Sequence, residues 1–363
     1  MAKLAIISTN RAKYSETFIR MHIDELPFEI VLYSDGHFPE AVSLDKGASF
    51  TALKSKKKWW QSTDPENSLI QSFKENKIDF VLAEYGPAGT EVMNVCSKLK
   101  LPLIVHFHGY DGYRDDVLNS HGKRYAQLFD IATAVIGVSK DMCTQLTSLG
   151  CPKDKLHHVP YGIDVEIFKP GSESQQNYFI SCGRFVAKKA PLNTLKAFLE
   201  VVRVKNFAHL IMIGNGELLD SAKEFVQANG LDTNVTFKGV LTQNEIVILY
   251  HSARAFVQHS IKTVDNDSEG TPLAVLEASA SGLPIIATRH AGIIDSVDEN
   301  ITGLLTDEGD LEGMTASMLR ILESKEEAKL MGENGRKKVL NEYTSRHYLD
   351  RLTQILVDSK RKQ

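Results

Sequence analysis

Ten short apolar runs, interleaved with stretches of helical periodicity, restrict this chain to one broad class of architecture. In the first half the runs are LAIIS (4–8), EIVLYS (29–34), DFVLAEY (79–85), PLIVHFH (102–108) and TAVIGVS (133–139). Periodic segments at 15–26, 46–61, 87–99 and 140–149 lie between or beside them. The second half restarts with YFISCG (178–183), HLIMIG (209–214), NVTFKG (234–239), RAFVQHS (254–260) and PIIAT (284–288). Helical patterns at 190–205, 217–229, 242–251 and 272–281 separate these, and residues from about 311 to 359 are helical with no strand signal. A strand that is apolar throughout is buried on both faces, as in a parallel sheet covered by helices. The polar FKPGSESQQN at 168–177 punctuates the two series. At 363 residues the chain exceeds one ordinary core. The pattern predicts an α/β protein of two doubly wound parallel-sheet domains, with ligands in a cleft beyond the carboxyl ends of the strands.

Composition excludes several functions. The net charge of −4 gives no global basic field for nucleic acid. Cys96, Cys143, Cys151 and Cys182 form no C-x-x-C pair, so neither a zinc site nor a disulfide framework is expected, and a reducing cytoplasm is the simplest setting. The N-terminus lacks the pattern of a signal peptide, and no stretch approaches a membrane span. One local feature stands out. LKSKKKWWQS sets Lys54, Lys56, Lys57 and Lys58 beside Trp59 and Trp60, which reads either as a solvated helix face or as a peripheral contact with an anionic membrane through Lys54–Trp60.

The residues with chemical potential follow strand ends. ISCGRFVAKKAP provides Gly183, then Arg184 and Lys189, two cations at the mouth of a helix, which suits a pyrophosphate or is an exposed basic turn. MIGNGELL provides Gly214 and Gly216 in a tight turn, but lacks the third glycine of a nicotinamide-dinucleotide fingerprint. LIVHFHGYDGY provides His106, His108 and Asp111. The two histidines share a face, yet spacing marks no third metal ligand, so hydrogen bonding to a polar ligand is the better reading.

The stretch DNDSEGTPLAVLEASASGLP (265–284) is the richest. Thr271 is the expected N-cap and Pro272 the first helical residue, with the helix ending at Gly282. Glu269 then precedes the helix, and Glu277 lies within it among Ala, Leu and Val. One carboxylate at the helix approach and another deeper suit a polyhydroxylated ligand such as a sugar nucleotide. Asp265 and Asp267 form a D-x-D pair that could hold a metal, or a hydrated loop.

Taken together, these segments resemble the retaining glycosyltransferases of family 4, which have the GT-B fold of two Rossmann-like domains. The resemblance covers nearly the whole chain. It rests on E-x7-E from Glu269 to Glu277, on GRFVAKK, HFHGYD and VSKDMCTQLTSLGCPKDKLHHVPYGIDVEIFKP, and on the N-terminal SETFI (15–19), which marks a subgroup resembling exopolysaccharide and colanic-acid-type enzymes. It implies an N-terminal acceptor-side domain, 1–168, rejoined by a helix at 344–363, and a nucleotide-sugar domain, 169–343. By the same resemblance, Arg184 and Lys189 hold the donor diphosphate, with Gly214 at the neighbouring strand end, and Glu277 binds the ribose. Glu269 contacts the transferred sugar, near the amides of Gly270, Thr271 and Leu273, while His108, with Asp111 close by, approaches from the first domain. PYGID (160–164) is implied to run close to the donor. The implied activity moves a hexosyl unit from a nucleotide sugar, UDP-linked by preference, to a saccharide or lipid-linked saccharide, with no metal or other cofactor. A nucleotide-sugar epimerase and a non-catalytic saccharide-binding partner are the alternatives. Many relatives carry a glycine pair after the first strand; here STNRAKYSETFI stands there, with Ser15 and Glu16 in place to face donor or acceptor.

Overall fold

A computed structural model describes residues 1–9, 17–36, 38–53, 64–171 and 177–361. Ser15, Glu16 and the Lys54–Trp60 stretch lie outside the described residues. The chain forms two compact units, Met1–Pro160 with Tyr348–Gln363, and Tyr161–His347. The division thus falls at 160/161, ahead of the polar stretch at 168–177.

All ten apolar runs are strands. In the first unit they are β1 (Lys3–Ile7), β2 (Glu29–Ser34), β5 (Phe80–Glu84), β6 (Leu103–Phe107) and β7 (Ala134–Gly137). Three short strands join them: β3 (Ala41–Ser43), β4 (Thr51–Ala52) and β8 (Leu156–His158). The sheet order is β4-β3-β2-β1-β5-β6-β7-β8. β3 and β4 pair antiparallel at one edge, and the rest are parallel. The helix expected over 46–61 does not form across 46–53. Lys46 and Gly47 take left-handed φ angles of 58° and 88°. Ser43 Oγ and Asp45 Oδ1 accept the backbone N–H groups of Gly47 and Ser49, competing with any helix there.

The second unit contains β9 (Tyr178–Cys182), β10 (His209–Ile213), β11 (Val235–Gly239), β12 (Ala255–Gln258), β13 (Ile285–Thr288) and β14 (Gly303–Thr306), ordered β11-β10-β9-β12-β13-β14 and all parallel. Successive residues send side chains to opposite faces. Ile180, Ile211, Phe256 and Ile285 accordingly enter one core, while Phe179, Leu210, Val257 and Ile286 enter the other. β9 lies between β10 and β12, which makes it the switch point of the sheet. Loops leaving β9 and β12 therefore flank a common crevice at the carboxyl ends. The terminal segment is three helices, Leu311–Glu323, Lys325–Glu342 and Ser345–Arg361. Among the described residues no helix is long and apolar enough to cross a membrane.

Candidate active site

The chain leaves β9 through Gly183 and exposed Arg184, then makes a one-turn 3-10 helix, Ala187–Lys189. Ala190 takes a left-handed φ of 37°, which turns the backbone into helix Pro191–Val204 with its proline in the first turn. The two lysines of that turn reach the loop after β12. Lys188, buried, bonds Asp267 Oδ1 at 3.0 Å and the Ser268 carbonyl at 3.3 Å. Lys189 Nζ lies 3.1 Å from Glu269 Oε1. Gly214, leaving β10, has φ 130° and packs so tightly that an added Cβ would sit 2.0 Å from the Gly183 carbonyl oxygen. Its place beside Gly183 is thus set by backbone approach. We expect Gly214→Ala to cost about 3 kcal/mol or more, lowering Tm by roughly 10 °C in a thermal scan.

Glu269 is buried beside the 273–280 helix. Its N–H donates to His290 Nε2 at 3.1 Å, and Ser260 Oγ donates to its Oε1 at 3.4 Å. His290 must then carry its proton on Nδ1, which donates to Glu308 Oε1 at 2.6 Å. Burial opposes the charge on Glu269, but Lys189 and Lys188 outweigh it and hold the carboxyl down to about 2.

Helix Leu273–Ala280 begins one residue later than expected, and Thr271 does not cap it. The Thr271 hydroxyl instead accepts the Tyr161 N–H at 3.3 Å, tying it to the PYGID segment, and Pro272 stands at the N-cap. With no side-chain cap, the first-turn amides at Leu273 keep the anion-binding character of an open helix N-terminus. Gly270 and Thr271 are buried just ahead of it. One and a half turns on, Glu277 is half-buried. Burial pushes its carboxyl up to about 7, against the pull of Lys189. The same lysine thus acts on both carboxylates of the E-x7-E pair. The Cys182 thiol is pushed up to about 12 by burial and by Glu277, which disfavours its thiolate.

The D-x-D pair is not a wholly hydrated loop. Asp267 is held by Lys188, and Asp265 accepts the Thr263 hydroxyl in a local turn.

In the first unit, His108 follows β6 and stacks on Phe18 with ring centroids 4.5 Å apart. Its Nε2 lies 2.8 Å from Glu84 Oε2. Asp111 is placed otherwise than expected for a donor contact. It is wholly buried, and its carboxylate accepts the N–H groups of His108 and Gly109 at 2.9 Å and of Gly86 at 3.0 Å. Burial raises its pKa, opposed by His108 and those amides. It anchors the turn that presents His108. Ligand-type side chains that spacing did not mark are also here: His22 Nδ1 lies 2.6 Å from Glu84 Oε1, and His106 Nδ1 lies 3.7 Å from Oε2. At the shorter distances these are hydrogen bonds between the side chains themselves. Glu84, His22, Lys188 and His290 all escaped the sequence reading. For Glu84 a signal existed, since an acid ends the apolar run DFVLAEY.

Residues 24–167 match the family described as Glycosyltransferase Family 4, and residues 163–338 match Glycosyl transferases group 1. The amylovoran biosynthesis glycosyltransferase AmsK of Erwinia amylovora is 28% identical over 284 residues, 77% of this chain and 70% of that protein. The putative colanic acid biosynthesis glycosyltransferase WcaL of Escherichia coli K12 is 26% identical over 243 residues, covering 66% of this chain but only 60% of that protein. Anabaena HepE, solved in complex with UDP, superposes with a TM-score of 0.80 at 15% identity over 99% of this chain and 100% of that one. At that identity the likeness is one of fold.

Proposed function

Because the chain is a glycosyltransferase of family 4, with the two Rossmann-like domains of the GT-B fold, we propose that it transfers a hexosyl unit from a UDP-sugar, with retention, to a saccharide or lipid-linked saccharide in surface-polysaccharide assembly. The observation that carries this reading is Lys189, held 3.1 Å from Glu269 beside Arg184 and an uncapped helix N-terminus. Departure of a nucleoside diphosphate develops negative charge, and preorganised cations and amides stabilise it without reorganising. Arg184 and Lys189 take the diphosphate, Glu277 takes the ribose hydroxyls, and Glu269 takes hydroxyls of the transferred sugar, a duty that the family resemblance also gives to His108.

Glu269, paired with Lys189 and accepting from Ser260, is positioned to bind and orient, which is the duty we give it in place of nucleophilic attack. The acceptor hydroxyl then attacks on the face the diphosphate leaves, and its proton passes to the departing phosphate oxygen. The polysaccharide setting is supported by the names of AmsK and WcaL, and the UDP preference by the HepE complex.

The test combines a thermal-shift screen of UDP-, GDP- and ADP-hexoses with transfer assays using the donor found. A UDP-hexose at about 100 times its Kd should stabilise by about 2.7 kcal/mol. The product should keep the donor's anomeric configuration, and excess EDTA should leave turnover unchanged. An inverted product, or loss of turnover with EDTA, would count against the mechanism. Isomerised sugar formed without acceptor would make the chain an epimerase.

A further inference from the structure

We propose that His290 is the positioning residue of Glu269, a buried imidazole that holds the backbone from which this carboxylate meets the transferred sugar. This rests on the reading that Glu269 contacts that sugar, and every residue involved belongs to the second unit. Three strand ends meet here, since β12, β13 and β14 are neighbours in the sheet. Glu269 lies on the loop that leaves β12, His290 follows β13, and Glu308 follows β14.

A backbone N–H can only donate. The Glu269 N–H, 3.1 Å from His290 Nε2, therefore marks that nitrogen as the one without a proton. The ring proton is on Nδ1 and goes to Glu308 Oε1 at 2.6 Å. Both nitrogens are in use, and His290 is 2% exposed. Glu308 takes the Lys262 N–H on its other oxygen, Oε2, at 2.7 Å. One carboxylate thus grips the loop at both ends, at Lys262 directly and at Glu269 through the imidazole. The residue after Glu308 is fixed as well, because the Gly309 N–H donates to His259 Nε2 at 2.9 Å. His259 is wholly buried, and burial takes it down to about 4, which keeps it a neutral acceptor. Between the two ends, Lys188 Nζ holds Asp267 and the Ser268 carbonyl, while its own carbonyl accepts the Ile261 N–H at 2.9 Å.

Satisfying a buried N–H does not by itself account for this arrangement. Such a group needs an acceptor, but any backbone carbonyl would serve. An imidazole in that place must also have its tautomer set and its ring aimed. Ala291, the residue after His290, has φ 41° and ψ −127°. A residue with a Cβ keeps such a backbone only where its surroundings impose it, and such strain collects at functional sites. What the loop gains is a fixed direction for one side chain. Glu269 Oε1 meets Lys189 and Ser260, and it does so from the backbone position that His290 holds. A displacement of about 1 Å in a group that orients substrate can cost about 10²-fold in rate.

The test uses the full chain with His290→Gln, His290→Asn and Glu269→Ala. A glutamine amide oxygen reaches the place of Nε2, whereas an asparagine amide reaches only the place of Nδ1. His290→Gln therefore keeps an acceptor for the Glu269 N–H and should turn over within about tenfold of the unsubstituted enzyme. His290→Asn leaves that N–H without one and should lower kcat about 10²-fold. Its affinity for UDP should be unchanged, because the diphosphate and ribose contacts belong to Arg184, Lys189 and Glu277. Hydrogen exchange of the Glu269 amide should quicken about tenfold or more in His290→Asn and little in His290→Gln. NMR of histidine-labelled protein, which needs no substitution, should show His290 as the Nδ1–H tautomer. Turnover that fails to separate the two folded variants, or an Nε2–H tautomer, would overturn the proposal. If Glu269→Ala retains turnover, the sugar-contact reading falls instead, and the exchange contrast still decides whether His290 holds the loop.

Discussion

Lys189→Ala should reduce nucleotide-sugar turnover by about 10³-fold, the scale expected when a preorganised group facing developing charge is removed. Lys189 is the cation common to both carboxylates of the E-x7-E pair: it contacts Glu269 directly and pulls on Glu277. Part of the loss comes through structure, because Glu269 is buried and loses the cation that acts on it most strongly. A second variant separates the two effects. In Lys189→Ala/Glu269→Gln the Glu269 charge is removed together with its partner, so at about pH 6, where Glu277 is protonated, the melting temperature should recover while turnover stays lost. Arg184→Ala makes the complementary case. Arg184 is exposed, so its removal should lower turnover with the melting temperature unmoved. A loss below about tenfold in Lys189→Ala, worth only about 1.4 kcal/mol, would remove the lysine from the leaving-group role.

The fold was legible because its strands are apolar on both faces. Phe179 and Ile180 enter different cores, and a run with no polar alternation has few other places to fold. The short edge strands carry less signal. β8 is Leu-His-His, half-exposed throughout, and β4 is two exposed residues. The site divided along another line. Residues on turns after strands, such as Arg184, Lys189 and Glu269, are readable because turn position and charge coincide there. Residues whose meaning comes from a partner far along the chain are not. Tyr348 is 326 positions from His22, and Lys188 is 79 from Asp267. Asp111 shows the reverse fault. Its type and place suggested ligand binding, but neither discloses that its oxygens turn inward to the amides of Gly86, His108 and Gly109.

Glu277→Gln should weaken donor binding and stabilise the protein, with both effects set by pH. The folded carboxyl titrates near 7, well above its ordinary value of 4.5, chiefly through burial. The folded state therefore holds this proton more tightly than the unfolded chain does. Its stabilising contribution is complete below about pH 4.5 and declines as pH rises through 7. Above that, the protein carries a half-buried charge that Lys189 offsets in part. Glutamine removes the charge. At about pH 8 the variant should melt higher by roughly 4 °C, from about 1–2 kcal/mol once residual solvent contact is allowed for, and the gain should vanish at about pH 4. Donor affinity should move the other way. A carboxylate accepting ribose hydroxyls is worth about 1.5–3 kcal/mol per charged hydrogen bond, so donor KM should rise roughly 10–100-fold at about pH 8. In the unsubstituted enzyme the same KM should climb as pH falls through 7, because protonated Glu277 has lost the charge the hydroxyls seek. Scans and initial rates across that range measure both slopes on one pair of proteins. A variant that melts lower at high pH, or binds donor as well as before, would take Glu277 out of the ribose site. Opposite signs would instead identify a carboxylate held at a cost to the fold because the donor needs it.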